Sequence, residues 1–255
     1  MLSHSTYIHH TTYITPIKTY IIYDYSGIIE RGYSRIITKF FRDGMAIFAF
    51  TNQKGGCSKS TTSVHFAYWL SQKGYSVCLI DSDAQLTSSI WLNNLPDSRV
   101  EVFVLQSANE VLDKLPDISS KYDYTVVDGP AGLSEVTRAI LFRADVAVIP
   151  CQPTGVDLRS AADAVKLVRQ AQSVRNGPPE ASLFLSRAVK GTRLKNEAMA
   201  LLSSTDLPIL KTVIHQKQCV ADTFGQQATV WNLSGRPASE SAREFEKLFS
   251  ELMEI

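Results

Sequence analysis

The chain has no apolar run approaching the ~20 residues that a membrane-spanning helix needs, so no membrane span is expected of it. Its start lacks a compact apolar stretch followed by a small-residue cleavage site, the mark of a secretory leader. Cysteine is scarce: Cys57, Cys78, Cys151 and Cys219 are widely spaced and form no C-x-x-C pair. That excludes the usual zinc and cluster motifs and fits a reduced, cytoplasmic compartment. An excess of one charge is also missing, because 26 basic and 25 acidic residues leave a net charge of +1. Any affinity for nucleic acid must then come from a local patch. There is no internal repeat and no low-complexity linker.

The 255 residues, 44% of them hydrophobic, suffice for one sizeable α/β core. Residues 1–44 stand apart. They hold Tyr7, Tyr13, Tyr20, Tyr23, Tyr25 and Tyr33, six of the ten tyrosines, together with His4, His9 and His10, and are rich in isoleucine without a helical period. Those histidines have no acidic or cysteine neighbours at ligand spacing, so no metal is expected there. The expected organisation is an atypical extension over 1–44, disordered or a mis-assigned start upstream of Met45, followed by one domain over 45–255.

From Met45 onward strands alternate with helices. Strands are expected over 46–50, 76–80, 102–105, 124–127, 146–149, 182–185 and 208–213. Helical periods fall at 60–73, 108–115, 134–142, 156–172, 194–202, 216–225 and 239–253. Such alternation argues an α/β fold, a mostly parallel sheet with helices on both faces. Ligands of such sheets bind at the carboxyl ends of the strands.

Asn52 to Thr62 reads Asn-Gln-Lys-Gly-Gly-Cys-Ser-Lys-Ser-Thr-Thr, directly after the first strand and before a helix. Strand, glycine turn, lysine, hydroxyl and helix is the layout of a phosphate-binding loop. Backbone N–H groups at the helix start face the anion, and the helix dipole favours negative charge there. The general pattern G-x-x-x-x-G-K-[ST] fails, because Gln53 and Ser58 occupy its glycine positions. The deviant pattern K-G-G-x-x-K-[ST] fits through Lys54, Gly55, Gly56, Lys59 and Ser60.

On these residues the chain resembles the ParA family of deviant Walker A ATPases, on a P-loop NTPase-like fold. Val126 to Ser134, and Ile149-Pro150-Cys151-Gln152-Pro153 followed by Asp157-Leu158, resemble its small ParF-like branch. The resemblance implies ATP and Mg²⁺ as cofactors. Gly55, Gly56, Cys57, Ser58, Lys59, Ser60, Thr61, Asp128 and Pro153 would then lie at the nucleotide. Lys59 would reach the β- and γ-phosphates, and Ser60, Asp81 and Asp128 would lie at or near the Mg²⁺. Asp83, the second carboxylate of Asp81-Ser82-Asp83, would position the attacking water. Lys54 would reach the nucleotide of a second subunit. Ser58 stands where most relatives have glycine, and serine strains a backbone shape that glycine tolerates. Cys57 has no visible activating neighbour and reads as a small residue that fits.

The stretch 185–220 carries six basic and two acidic residues, and 221–255 carries three basic and six acidic. The family binds DNA without sequence preference through basic residues in this late region. Here that points to Lys190, Arg193, Lys195, Lys211 and Lys217. The resemblance therefore implies a slow, partner-stimulated ATP hydrolase that is cytoplasmic and nucleoid-associated. It would form a homodimer with ATP, bind nonspecific double-stranded DNA, and answer to a ParB-like or McdB-like adaptor. Its cargo would be a plasmid, a chromosome region or a compartment such as a carboxysome. The alternatives are a MinD-like membrane-associated positioning ATPase and an iron-protein-like reductase or cluster scaffold. The acidic last helix disfavours the first, and the lack of suitably placed paired cysteines disfavours the second.

Overall fold

The computed structural model describes residues 45–132, 134–192, 197–198, 200 and 207–255. The expected extension over 1–44, and most of the helix expected over 194–202, lie outside the described residues. Six strands form one sheet: β1 (Ala46–Asn52), β2 (Val77–Asp81), β3 (Glu101–Val104), β4 (Tyr124–Ala131), β5 (Val146–Cys151) and β6 (Glu180–Leu185). Their order is β3-β2-β4-β1-β5-β6, and every pairing is parallel. β1, β2, β4 and β5 are almost continuously buried. That is why they read as unbroken apolar runs rather than alternating ones.

The helices are α1 (Lys59–Gln72), α2 (Thr87–Asn94), α3 (Ala108–Ser119), α4 (Glu135–Arg143), α5 (Gly155–Arg175), α6 (Gln218–Asp222) and α7 (Arg236–Met253). Ser107, Ser134 and Thr154 cap α3, α4 and α5, each side chain accepting from the N–H three residues on. Two expectations need correction. Helix α2 carries no local signal strong enough to predict it. The strand expected over 208–213 is reduced to isolated bridges of Ile209 with Leu183 and His215 with Ala188. Between those bridges the N–H groups of Lys211 and Thr212 donate to the Glu251 carboxylate of α7, at 2.7 and 3.4 Å, instead of to β6.

α1 is buried nearly all round because it lies between the sheet and α7. Phe66 packs edge-on to Phe48 and Phe50 of β1, with ring centroids 5.0 and 5.8 Å away, and meets Phe249 of α7 at 5.1 Å. The apolar face of α7 (Phe245, Leu248, Phe249 and Leu252) is therefore core. Gly129 of β4 is required by close approach: a Cβ there would stand 2.9 Å from the Phe50 carbonyl oxygen.

His65 on α1 is fully buried and stacked on Phe245 at 4.6 Å. Nδ1 lies 2.6 Å from the Thr61 carbonyl, and the Val230 N–H donates to Nε2 at 3.2 Å. One nitrogen must donate and the other accept, so the ring is neutral with its proton on Nδ1. Burial pulls its pKa down from 6.5 to about 4, against the Thr61 contact, which pulls the other way. In that window the unfolded chain binds a proton that the folded chain refuses. Stability from this site is thus intact above pH 6.5 and is lost as pH falls toward 4, to a total of about 3 kcal/mol. Urea titrations from pH 7.5 to 4 should show that loss in the parent and a flatter profile in His65→Gln. Parallel profiles would refute the assignment.

Candidate functional site

The loop between β1 and α1 sits at the carboxyl edge of the sheet, flanked by the ends of β4, β5 and β6. Gly56 (φ 74°) and Ser58 (φ 77°) are both left-handed. Alternation of such residues with right-handed ones turns successive N–H groups into an anion-binding concavity. The loop borders a cleft of about 580 Å³, within the range of small-molecule sites. Gly55, Gly56, Ser58, Lys59, Ser60, Thr61 and Asp83 all line it, whereas Asp128 does not, and neither do Cys57 and Pro153. Both of the latter are buried. Cys57 turns its Sγ to the Lys54 carbonyl at 3.2 Å, and Pro153 leads into the cap of α5. Burial raises the Cys57 thiol pKa, which makes it an inert packing group rather than a reactive one.

The two lysines are held differently. Lys59 is buried, and its Nζ donates to the Lys54 carbonyl at 3.1 Å. Lys54 reaches across the loop to the buried Asp157 carboxylate at 2.8 Å. Asp157 also accepts a short hydrogen bond from the Thr154 hydroxyl, so the lysine is docked on the first turn of α5 of its own chain.

The carboxylates separate into three environments. Asp81 is buried with both oxygens engaged: Oδ1 accepts from the Asp83 N–H at 3.1 Å, and Oδ2 accepts from the Ser89 N–H and hydroxyl, both at 2.8 Å. It anchors the start of α2, and its oxygens are less available to a metal than expected. Asp83 lies at the cleft, with its oxygens accepting from the N–H groups of Gln85 at 2.9 Å and Ala131 at 3.2 Å. It thus ties the loop after β2 to the end of β4. Asp128 is fully buried, and neither of its oxygens has a hydrogen-bond partner in good geometry, although the Ser60 and Ser88 hydroxyls lie close enough to favour its ionised form. Burial drives its pKa up to about 7. Asp81 pushes the same way, while the nearby Ser60 and Ser88 hydroxyls and Lys59 pull it down. The Ser88 and Ser82 hydroxyls are likewise buried without partners. An orphaned carboxylate among orphaned hydroxyls fits a bound cation, whose charge and hydration shell would satisfy all of them.

The basic residues expected at a nucleic-acid surface are partly spoken for. Lys217 pairs with Glu244 at 3.0 Å and Glu240 at 3.8 Å, and Lys190 pairs with Glu240 at 3.8 Å. Lys211 is exposed. Arg193 and Lys195 lie outside the described residues. Gln152, Ser186 and Arg187 also contact the loop; Gln152 lies in the 149–153 motif, but nothing in the sequence pairs any of the three with Gly56 or Cys57. No helix among the described residues is long and apolar enough to cross a membrane.

The chain is 24% identical over 208 residues to the maintenance of carboxysome distribution protein A of Halothiobacillus neapolitanus, covering 80% of this chain and 95% of that protein. The ATP complex of a Cyanothece McdA variant superposes with a TM-score of 0.70 at 17% identity, over 83% of this chain and 97% of the other. The septum site-determining protein MinD of Pyrococcus horikoshii, complexed with Mg-ADP, gives 0.65 at 19% identity over 81% and 95%. Residues 48–230 match the family described as CobQ/CobB/MinD/ParA nucleotide binding domain, and the chain belongs to that family.

Proposed function

We propose that this chain is a dimerising ATPase that positions a cargo, most closely of the carboxysome-distribution kind. The observation that carries the reading is that Lys59 and Ser60 line the cleft at the end of the loop that also holds Lys54, with the buried Asp128 close to both of them. The loop's N–H groups and Lys59 would bind the β- and γ-phosphates of ATP. Ser60 and Asp128 would hold Mg²⁺, which neutralises charge on the phosphate oxygens when bound. Asp83, at the cleft wall, would orient the attacking water once released from the Ala131 N–H. Lys54 would leave Asp157 and supply its charge to the second subunit's nucleotide, closing the dimer only around ATP. An adaptor of the ParB or McdB type would speed hydrolysis and reset the cycle.

The closed dimer would bind DNA without sequence preference, placing the protein in the cytoplasm on the nucleoid. Because Lys190 and Lys217 are paired with acids of α7, Lys211, Arg193 and Lys195 are the residues proposed to carry that binding. The MinD-like membrane alternative is disfavoured because the apolar face of α7 is used in the core. The cluster-scaffold alternative is disfavoured because Cys57, Cys78 and Cys151 are all buried.

Calorimetry tests the nucleotide site: Lys59→Ala should lose ATP binding, and Asp83→Ala should keep it while hydrolysing at least about tenfold more slowly. Unchanged affinity in the first, or parent turnover in the second, would overturn those roles. Asp128 gives a thermodynamic check. Its raised pKa means the fold favours the protonated form. Stability from this site is therefore full below about pH 4, falls as pH rises to about 7, and stays low above it. Asp128→Asn should raise the melting temperature of the ligand-free protein at pH 8 and abolish the extra stabilisation that Mg²⁺ adds to ATP. A lowered melting temperature with Mg²⁺ dependence intact would refute the assignment. For DNA, anisotropy titrations should detect binding only with ATP, with a log–log salt slope of roughly −0.9 per phosphate neutralised. Lys211→Ala should flatten that slope, and equal affinity in both nucleotide states would sink the switch.

A further inference from the structure

Three side chains from outside the phosphate loop hold its carbonyl groups. Gln152 Nε2 donates to the Gly56 carbonyl at 2.7 Å, and Arg187 Nη1 donates to the same oxygen at 3.0 Å. The Ser186 hydroxyl donates to the next carbonyl, that of Cys57, at 2.9 Å. Gln152 directly follows β5, and Ser186 and Arg187 directly follow β6. Two strand ends therefore grip two consecutive peptide units of the loop.

A peptide unit is planar and trans, so its N–H points opposite its C=O. Fixing the carbonyls of Gly56 and Cys57 therefore fixes the directions of the N–H groups of Cys57 and Ser58. Direction is what an anion-binding loop has to specify. The grip also falls on the part of the loop that is least comfortable. Ser58 is left-handed at φ 77°, where a Cβ is strained, and its side chain makes no capping hydrogen bond to relieve that strain. Such a conformation persists only where its surroundings over-determine it. Arg187, one of the gripping residues, is itself left-handed at φ 51°.

We propose that Gln152, Ser186 and Arg187 are positioning residues that clamp the phosphate loop in its binding shape, and that the serine at position 58 makes the chain depend on them. With glycine at 58 the same loop shape carries no Cβ penalty and the clamp becomes largely dispensable. This inference rests on reading the cleft as the ATP site, so its test includes an arm that needs no nucleotide.

Four proteins decide it: the parent, Gln152→Ala/Arg187→Ala, Ser58→Gly, and the triple variant. Gln152 is half-buried and Arg187 exposed, so the double variant should fold; Gln152→Ala alone serves as a milder second case. In the ligand-free proteins, hydrogen exchange of the loop amides from Cys57 to Ser60 should quicken about tenfold or more in the double variant. It should change less than about threefold between Ser58→Gly and the triple variant, the non-additivity expected of coupled neighbours. Calorimetric ATP affinity should follow the same pattern, with Arg187→Lys restoring part of the loss because it keeps a donor. Equal losses in both backgrounds would show that these side chains contact nucleotide or support the fold generally, and would overturn the clamp. Unchanged exchange in the double variant would overturn it as well. If the exchange pattern holds while no protein binds ATP, the clamp stands and the nucleotide reading fails.

Discussion

Helix α1 is wedged between two aromatic layers, and the site depends on that wedge. Phe66 touches β1 on one side and α7 on the other, while His65 is stacked on Phe245 and bonded to Val230. Close-packed aromatic contacts on opposite faces leave a helix little room to slide. The first residue of α1 is Lys59, and the loop that precedes it is the phosphate loop. Donors at the start of an immobile helix need little reorganisation when an anion arrives, which is the condition for electrostatic preorganisation. The cost of the site is displaced onto two other places: the left-handed Ser58 and the unpartnered Asp128.

Asp128 shows why that cost is tolerated. A buried carboxylate without a hydrogen bond is expensive, and the chain meets part of the expense by favouring its protonated form. Asp81, its register partner across β2 and β4, avoids the same fate by binding Ser89 and the Asp83 N–H. Two adjacent acids at one sheet edge are thus driven apart: one is made structural and the other kept available. A cation binding at Asp128 would remove the penalty and add its own attraction, so ligation and fold stability are linked at this residue.

Much of the fold could be read directly. β1, β2, β4 and β5 are buried on both faces, and their apolar runs ended in the residues that matter, Asn52, Asp81, Asp128 and Pro150. The spacing of Lys54, Gly55, Gly56, Lys59 and Ser60 located the loop. Helix α2 was not legible, because its start follows a left-handed Leu86 without a side-chain cap and its Ser89 N–H is satisfied by Asp81, eight residues back. The segment over 208–213 looked like a strand from its apolar content, but Glu251 captures two of the donors a strand would need. The ion pairs that quiet Lys190 and Lys217 were equally hidden, since Glu240 and Glu244 are brought to them only by the packing of α7. Patterns within a segment were readable, whereas partners supplied by distant segments were not.

The same distinction governs how the proposed cycle could be switched. In the present state Lys54 is committed to Asp157, a fully buried acid whose other oxygen has no partner. Removing the lysine leaves that carboxylate with only the Thr154 hydroxyl, an expensive environment for a charge. On the proposed cycle Lys54 would therefore leave only for a stronger anion, and a second subunit lacking ATP would offer none. ADP would offer less than ATP, because it lacks the terminal phosphate. Asp83 is restrained in parallel through the Ala131 N–H, so the two side chains proposed to orient water and to act across a dimer are both satisfied within one chain. Under the proposed function, a chain arranged this way would have little incentive to close without triphosphate and little readiness to hydrolyse before closing. That ordering is what the proposed positioning cycle needs, and it would follow from where two side chains rest rather than from any added regulatory element.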